Sequence, residues 1–233
     1  IAPEARLACV SPSHQYPLGI TMSLPRRLEL LEWARVADAF ILEDDYDSEY
    51  RYRGRPLAAL QGLDEEGRVI YIGTMSKVMF PGLRIGYMVV PDDLVDAFRA
   101  VRILIDTHPS SIAQAALADF ITEGFLSAHI RRMRSLYEER QQSLIKSVSA
   151  HLGGILSIEP QDAGMHLLGM LDDRFTDIEF AKRAGDSGIQ APALSAFYDT
   201  SPKQNGFLLG YAGVDEKEIN DGTKALAAVF ADA

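Results

Sequence analysis

The sequence predicts an α/β protein in which a mainly parallel sheet is followed by a small α+β domain. Short continuous apolar runs occur at residues 39–42, 69–73 and 85–90, and such runs are typical of buried parallel strands. Amphipathic helical segments alternate with these runs, as in layered α/β domains. Beyond residues 153–154 the pattern changes to short strands with two helices, which indicates the second domain.

The elements follow in order along the chain. Residues 7–10 predict a buried strand that ends in a loop with two prolines, and Ser23 is placed to cap a helix that reaches about residue 38. A further helix follows residues 91–93, and a helical zone over residues 110–152 has a break at Gly124. The remaining predicted segments are strands 155–158, 165–171 and 206–211, and helices 176–188 and 215–230.

The domain boundary is predicted at the start of a long charged helix. We place residues 1–125 in the C-terminal part of a large domain and residues 126–233 in a linking helix and a small α+β domain. The charged stretch near residues 131–140 fits a solvated helix face with local ion pairs. No internal repeat or low-complexity segment interrupts this organisation.

Composition excludes several classes of function. The formal net charge of −10 argues against nucleic-acid binding by this chain itself. Its one cysteine, Cys9, excludes a disulfide framework, and no zinc-type spacing occurs. No apolar run approaches the length of a membrane span. We therefore expect a cytoplasmic protein with no membrane partner, and the start at Ile1 without a methionine suggests a fragment.

Lys77 is the most informative residue of the sequence. It lies among small and apolar residues, and Arg84 follows seven positions later, after Gly82. We expect a buried amine here, because desolvation favours the neutral, nucleophilic form that a Schiff-base cofactor requires. The alternative is an ordinary exposed lysine on a loop. Arg84 suits bidentate recognition of a phosphate.

An acidic run follows the predicted strand 39–42, at the end of the strand where ligands bind in parallel sheets. Alternation along an extended chain puts Asp44 and Tyr46 on one face and Asp45 on the other. A carboxylate and a phenol so spaced can reach one planar heterocycle. Two alternatives are a solvated acidic loop and a calcium loop over residues 45–49, although the glycine that a calcium loop requires is absent.

Taken together, three motifs resemble those of the class I/II aminotransferases, which are fold-type I enzymes dependent on pyridoxal phosphate. They are SHQYPLG at residues 13–19, EDDYDSEYRY at 43–52, and GTMSK with PGLRIGY within 73–87. The residues of these motifs are similar to those of the aminotransferase-like domain of MocR/GabR-type regulators. In such regulators that domain is joined to a GntR-type DNA-binding domain. The resemblance covers essentially the whole chain and implies the aspartate aminotransferase-like fold with a partial large domain.

The resemblance implies a role for each residue around the ring of pyridoxal 5′-phosphate. Lys77 would form a Schiff base with the cofactor's aldehyde and, in a transaminase, would also shuttle a proton. Asp44 would pair with the pyridinium nitrogen, and Tyr46 would bond the ring 3′-oxygen. Tyr16 stands where the family normally has an asparagine that contacts the same oxygen, and an aromatic residue at this position is common in MocR-type proteins. His14 is expected to pack near this loop rather than to catalyse.

The resemblance also assigns the phosphate contacts and raises a question about substrate. Arg84 would clamp the phosphate, with hydroxyl contacts from Thr74 and Ser76. The strand that usually supplies an arginine for the substrate carboxylate has Leu208 at the matching position. This departure puts transamination of α-amino acids in doubt.

The sequence therefore predicts the effector-sensing domain of a transcriptional regulator. A small-molecule amine or amino acid would exchange with Lys77 on the cofactor, and DNA would be bound only through a missing N-terminal domain. The resemblance further implies a homodimer. One alternative is an active aminotransferase that uses the same residues, and the other is a truncated chain that binds no cofactor.

Overall fold

The computed structural model describes residues 4–55 and 57–231, which form two compact units. The first unit comprises residues 1–16, 20–49 and 55–131, and the second comprises 17–19, 50–54 and 132–233. Helices occur at α1 Leu24–Val36, α2 Leu60–Leu63, α3 Met75–Val78, α4 Val95–Asp106, α5 Ser111–Thr122, α6 Phe125–His151, α7 Asp177–Asp186 and α8 Glu216–Ala231. The division at residue 131 falls within α6.

The first unit is built on one four-stranded sheet. Its strands are β1 Leu7–Val10, β2 Phe40–Asp45, β3 Val69–Thr74 and β4 Gly86–Val89, in the order β1-β2-β3-β4. The first three strands are parallel, whereas β4 runs antiparallel to β3. The short connection between β3 and β4 explains this reversal, because a parallel crossover needs a dozen or more residues. The prediction of a mainly parallel sheet is confirmed.

The core of this unit lies between the sheet and helix α1. It contains the buried residues Leu30, Ala34, Ile41, Leu60 and Val69. Ser23 occupies the N-cap position of α1 with extended backbone, although its side chain makes no capping hydrogen bond, and proline follows in the first turn. The strand β2 extends to Asp45, beyond the predicted end, because Asp44 and Asp45 continue the parallel pairing with Ile72 and Gly73 of β3.

Two strands that were predicted as buried lie at the edges of this sheet and are exposed. Residues of β4 are all exposed, and so are Leu7 and Cys9 of β1. The helices α4 and α5 also contain no buried residue. An apolar run therefore identified a strand correctly in both places, whereas its burial depended on neighbours that the described residues do not supply.

The second unit contains an antiparallel sheet of three strands. These are β5 Leu156–Ile158, β6 His166–Leu171 and β7 Gly206–Gly210, in sequence order. Its core is formed by the inward faces of α6, α7, α8 and the sheet, with Phe180 stacked on Phe230 at a ring-centroid distance of 4.3 Å. Gly124, at the predicted break between α5 and α6, has a φ of 79° that favours glycine. No helix in the described part of the chain has the length and apolarity to span a membrane.

Candidate functional site

The candidate residues gather at one edge of the first unit's sheet. The register pairs Val10 with Glu43 and Asp45 with Gly73, so β1, β2 and β3 end at the same edge. The antiparallel strand β4 begins there, because Gly86 pairs with Thr74. The loop after β1, the acidic run after β2, helix α3 after β3 and the turn before β4 therefore meet at this edge, as expected for ligand sites of parallel sheets.

Strand β2 presents its carboxylates alternately to the interior and to the outside. Glu43 and Asp45 are buried, whereas Asp44 is exposed and its side chain makes no hydrogen bond with the described residues. Glu43 accepts hydrogen bonds from the main-chain N–H groups of Leu60 and Gln61, both at 2.9 Å. Partial desolvation and, secondarily, the charges of Asp45 and Asp47 raise the pKa of Asp44.

Asp45 is held by side chains of the same unit. The Tyr71 hydroxyl donates to Asp45 Oδ2 at 2.8 Å, and the Ser48 hydroxyl donates to the same oxygen at 2.7 Å. Burial and this carboxylate raise the pKa of Tyr71, so the phenol remains a neutral donor. Asp45 is therefore engaged inside the fold, which leaves Asp44 as the carboxylate that a ligand could reach.

Tyr46 joins the acidic run to the loop after β1. Its hydroxyl donates to the main-chain oxygen of His14 at 2.9 Å and lies 3.1 Å from His14 Nδ1. The same Nδ1 lies 2.8 Å from Asp47 Oδ2, and both His14 and Asp47 are buried. Burial, followed by the charges of Asp47 and Asp44, raises the pKa of Tyr46, which keeps its hydroxyl proton in place.

Lys77 lies in the last turn of α3, directly after β3, and is exposed. The expectation of a buried amine is wrong, because Lys77 is exposed although apolar residues flank it in the sequence. Thr74 caps α3 by accepting a hydrogen bond from Ser76 N at 3.1 Å. The Thr74 hydroxyl proton therefore remains available to donate to a ligand. Ser76 is half-buried beside it.

Arg84 adopts a left-handed backbone conformation, with φ 52° and ψ 38°. Such a conformation is costly for a residue other than glycine, and strain of this kind is concentrated at functional sites. The guanidinium is exposed and makes no hydrogen bond or ion pair with any residue in the described ranges. Arg84 is thus a strained, unneutralised cation at the same edge as Lys77.

Gly73 explains why a glycine precedes the lysine motif. It pairs directly with Tyr87 across β3 and β4, and the aromatic ring of Tyr87 lies over it. A Cβ atom at Gly73 would come within 2.2 Å of Tyr87 Cζ. The missing side chain therefore makes room for the ring of Tyr87, which lies 6.1 Å from the ring of Tyr71.

Two other predicted positions, Tyr16 and Leu208, differ in burial. Tyr16 is exposed at the end of the loop after β1. Leu208 is buried in β7 of the second unit, where its main-chain N–H donates to Pro192 O at 2.9 Å. Within the described residues no group of three or more histidine, cysteine or acidic side chains is arranged to hold a metal ion. Asp45 and Asp47 of the suggested calcium loop bond instead to Ser48, Tyr71 and His14.

Sequence reasoning gave Asp47 a role only in the calcium-loop alternative and gave none to Tyr71. The alternation that separates Asp44 from Asp45 was itself a signal, since Glu43, Asp45 and Asp47 share the buried side. Tyr71 carried no comparable signal, because its contact with Asp45 spans 26 positions of the sequence.

The family model for class I and II aminotransferases matches residues 7–226. The chain is 47% identical over 228 residues to the "Probable rhizopine catabolism regulatory protein MocR" of Rhizobium meliloti, covering 98% of this chain and 46% of that protein. It is 33% identical to the pyridoxine biosynthesis transcriptional regulator PdxR of Corynebacterium glutamicum, covering 90% and 45%. The chain thus spans about half the length of these curated relatives.

Solved structures agree with this assignment. The kynurenine aminotransferase of Pyrococcus horikoshii superimposes with a TM-score of 0.86 and 30% identity, over 98% of this chain and 56% of that one. The aspartate aminotransferase-like fold and the similarity to MocR-type regulators are thereby confirmed. The match over nearly the whole chain leads to one conclusion: this chain belongs to the class I and II aminotransferase family.

Proposed function

We propose that this chain binds pyridoxal 5′-phosphate through a Schiff base to Lys77 and senses an effector for a MocR/GabR-type transcriptional regulator. The observation that carries the proposal is the meeting of three exposed groups at one sheet edge. They are the Asp44 carboxylate, the Lys77 amine and the Arg84 guanidinium. The first unit would be the C-terminal part of a cofactor-binding large domain, and the second would be the small domain.

The chemistry of these groups fits the cofactor. When bound, pyridoxal phosphate supplies an aldehyde that condenses with primary amines and a conjugated ring that withdraws electrons. Arg84, with no ionic partner among the described residues, would hold the phosphate together with the hydroxyls of Thr74 and Ser76. Lys77 would hold the aldehyde carbon.

Asp44 and Tyr46 would set the electronic state of the ring. Partial desolvation and the charges of Asp45 and Asp47 disfavour the ionised form of Asp44, and a cationic partner such as a pyridinium N–H would stabilise it. Tyr46, kept neutral by its surroundings, would bond the ring 3′-oxygen. Tyr16, which also acts electrostatically on Tyr46, would lie near the same oxygen.

The proposed ligand is a small-molecule amine or amino acid that displaces Lys77 from the cofactor. The exchange would be the signal, passed to a DNA-binding domain elsewhere in a longer polypeptide that acts as a homodimer. The names of several similar proteins support this reading, since MocR and PdxR are described as regulators. Leu208, where the resemblance expects an arginine for a substrate carboxylate, also favours sensing over turnover.

Absorbance spectroscopy tests the cofactor proposal. Adding pyridoxal phosphate to the chain should produce a band at about 410–430 nm, typical of a protonated Schiff base. Borohydride reduction followed by peptide mass mapping should locate the cofactor on Lys77. Lys77→Ala should lose the band, whereas Lys182→Ala, at an exposed lysine of the second unit, should retain it. A wild-type chain without the band, or a band that survives in Lys77→Ala, would overturn the proposal.

A second candidate function is aminotransferase activity itself, favoured by the similarity to the kynurenine aminotransferase. A panel of amines and amino acids separates the two functions. A sensor should show a shifted absorbance band that persists without release of a 2-oxo acid. Sustained 2-oxo acid production from any member of the panel would establish the enzyme instead.

A further inference from the structure

We propose that His14, oriented by Asp47, is a positioning residue that holds the Tyr46 hydroxyl in place for the cofactor's ring 3′-oxygen. This inference rests on the proposed function, because it concerns how the same site controls the bound ring. It assigns a role to a buried pair that lies behind the residues that would touch the cofactor.

Asp47 holds the Nδ1–H group of His14 in one orientation as a hydrogen-bond donor. Their side chains are each 2% exposed, and His14 Nδ1 lies 2.8 Å from Asp47 Oδ2. A carboxylate accepts hydrogen bonds but does not donate them, so the Nδ1 atom carries a proton. Because the pair is buried, solvent and salt weaken this contact little. Asp47 therefore fixes both the tautomer and the ring orientation of His14.

His14 contacts the phenol of Tyr46 with two groups. The Nδ1–H group lies 3.1 Å from the phenol oxygen, and the main-chain oxygen accepts the phenol proton at 2.9 Å. A phenol has a single proton, which turns about the C–O bond to meet an acceptor. When that proton turns to the cofactor's oxygen, the phenol loses the main-chain acceptor but keeps the Nδ1–H group as a donor, since its one proton is shared between Asp47 and the phenol oxygen. A hydroxyl that accepts a hydrogen bond is also a stronger donor.

The surrounding charges are consistent with this role. Burial and, after it, the charges of Asp47, Asp44 and Asp45 disfavour loss of the Tyr46 proton. Asp45 is occupied by Tyr71 and Ser48, so Asp47 is the carboxylate that orients His14. The phenol is thus kept as a neutral donor whose oxygen atom is fixed from behind.

The test is a pH titration of the visible band in the cofactor-loaded chain. Donation by Tyr46 stabilises the anionic ring oxygen, which otherwise attracts the Schiff-base proton. Losing that donation should raise the Schiff-base pKa by about one unit, since a hydrogen bond to a charged group contributes on that scale. Tyr46→Phe should show this full shift. His14→Ala should shift the pKa in the same direction by less.

Three further variants separate positioning from simple loss of packing. His14→Asn places an amide N–H near the Nδ1 position and should titrate close to wild type. Asp47→Asn should fall between wild type and His14→Ala. The double variant His14→Ala with Tyr46→Phe should shift no further than Tyr46→Phe alone, because His14 acts through Tyr46. Far-UV circular dichroism and the melting temperature report whether each variant folds.

Each outcome decides the proposal. The proposal would be overturned if His14→Ala had the same Schiff-base pKa as the wild-type chain. It would also be overturned if the double variant shifted that pKa further than Tyr46→Phe alone. Either result would leave the cofactor proposal intact. Failure of the wild-type chain to form the band would overturn both. If the His14 and Asp47 variants do not fold, the ¹⁵N shifts of His14 in the wild-type chain still decide. A protonated Nδ1 supports the proposal, and an unprotonated Nδ1 contradicts it.

Discussion

The two units of this chain use buried residues in different ways. The second unit has a large apolar core, in which aromatic rings such as Phe180 and Phe230 stack. The first unit has a small apolar core but buries Arg27, Glu43, Asp45 and Asp47 together with His14. In the described part of the second unit, Asp177 is the one buried side chain that carries a formal charge.

The buried charged groups have different roles in the two units. Buried charge is costly and is tolerated where hydrogen bonds satisfy it, often near functional sites. In the first unit the buried charged groups lie around the sheet edge that carries Asp44, Lys77 and Arg84. In the second unit Asp177 accepts hydrogen bonds from the main-chain N–H groups of Ser195 and Gly206, which is a structural role.

The largest expected change in the free energy of unfolding comes from replacing a leucine by alanine, which is compared between the two units. Leu226→Ala in the second unit removes a side chain that is 2% exposed, and should lower the free energy of unfolding by about 2–5 kcal/mol. Leu104→Ala in α4 removes one that is 85% exposed, and should change it by less than about 0.5 kcal/mol. Urea unfolding followed by far-UV circular dichroism measures both. Equal losses would show that the apolar face of α4 is covered in solution, which would break the comparison.

A smaller loss of stability is expected from replacing Arg27, one of two adjacent arginines of α1. Arg27 is buried and donates to the main-chain oxygens of Pro12, Met22 and Ala58 at 2.8, 3.0 and 2.9 Å. Arg27→Met leaves these acceptors without their donor and should lower the free energy of unfolding by about 3 kcal/mol. Trp33, the single tryptophan, lies in this unit and reports its unfolding by fluorescence.

Arg26→Met is the matched control for this prediction. The Arg26 side chain is exposed and pairs with Glu29 at 2.8 Å on the helix surface. Its removal should cost less than about 0.5 kcal/mol, because exposed ion pairs contribute little. Similar losses for both arginines would mean that buried charge does not stabilise the first unit in the manner described.

The smallest effect concerns Asp44 and depends on pH. The folded chain raises the pKa of Asp44, so its ionised form is disfavoured at neutral pH. Asp44→Asn should therefore stabilise the cofactor-free chain at pH 7 by about 0.5 kcal/mol, a value kept small by solvent screening. The gain should shrink as the pH falls through the folded pKa and vanish below the usual value of 3.8, where both states are protonated.

Thermal unfolding from pH 3 to pH 8 of the wild-type and Asp44→Asn chains measures this gain. The variant should at the same time bind pyridoxal phosphate more weakly, because the amide does not neutralise a pyridinium. A variant that is less stable at neutral pH would contradict the charge repulsion assigned to Asp44.

Much of the fold followed from local patterns. Helix α6 and its break at Gly124 followed from helical spacing and one glycine, and the strands β2 and β3 followed from apolar runs. The burial of β1 and β4 did not follow, because an apolar run has the same spacing at an edge and in the centre of a sheet. The direction of β4 depended on the length of the preceding connection.

The candidate site divides in the same way. Alternation predicted that Asp44 and Asp45 face opposite sides, and their burial follows that pattern. The exposure of Lys77 was not predicted, because apolar neighbours in sequence do not have to surround a side chain in space. The contact of His14 with Tyr46 joins residues 32 positions apart, which no local pattern specifies.

The sequence by itself determined the order of strands and helices, the family motifs and the residue types available at the ends of the strands. These features depend on short-range spacing and side-chain chemistry, which are written along the chain. Only the tertiary structure decided the antiparallel pairing of β4, the left-handed backbone of Arg84 and the support of Tyr46 by His14 and Asp47. The contacts of Tyr46 join segments that are distant in sequence, whereas the direction of β4 and the backbone of Arg84 depend on how the short connection between β3 and β4 folds.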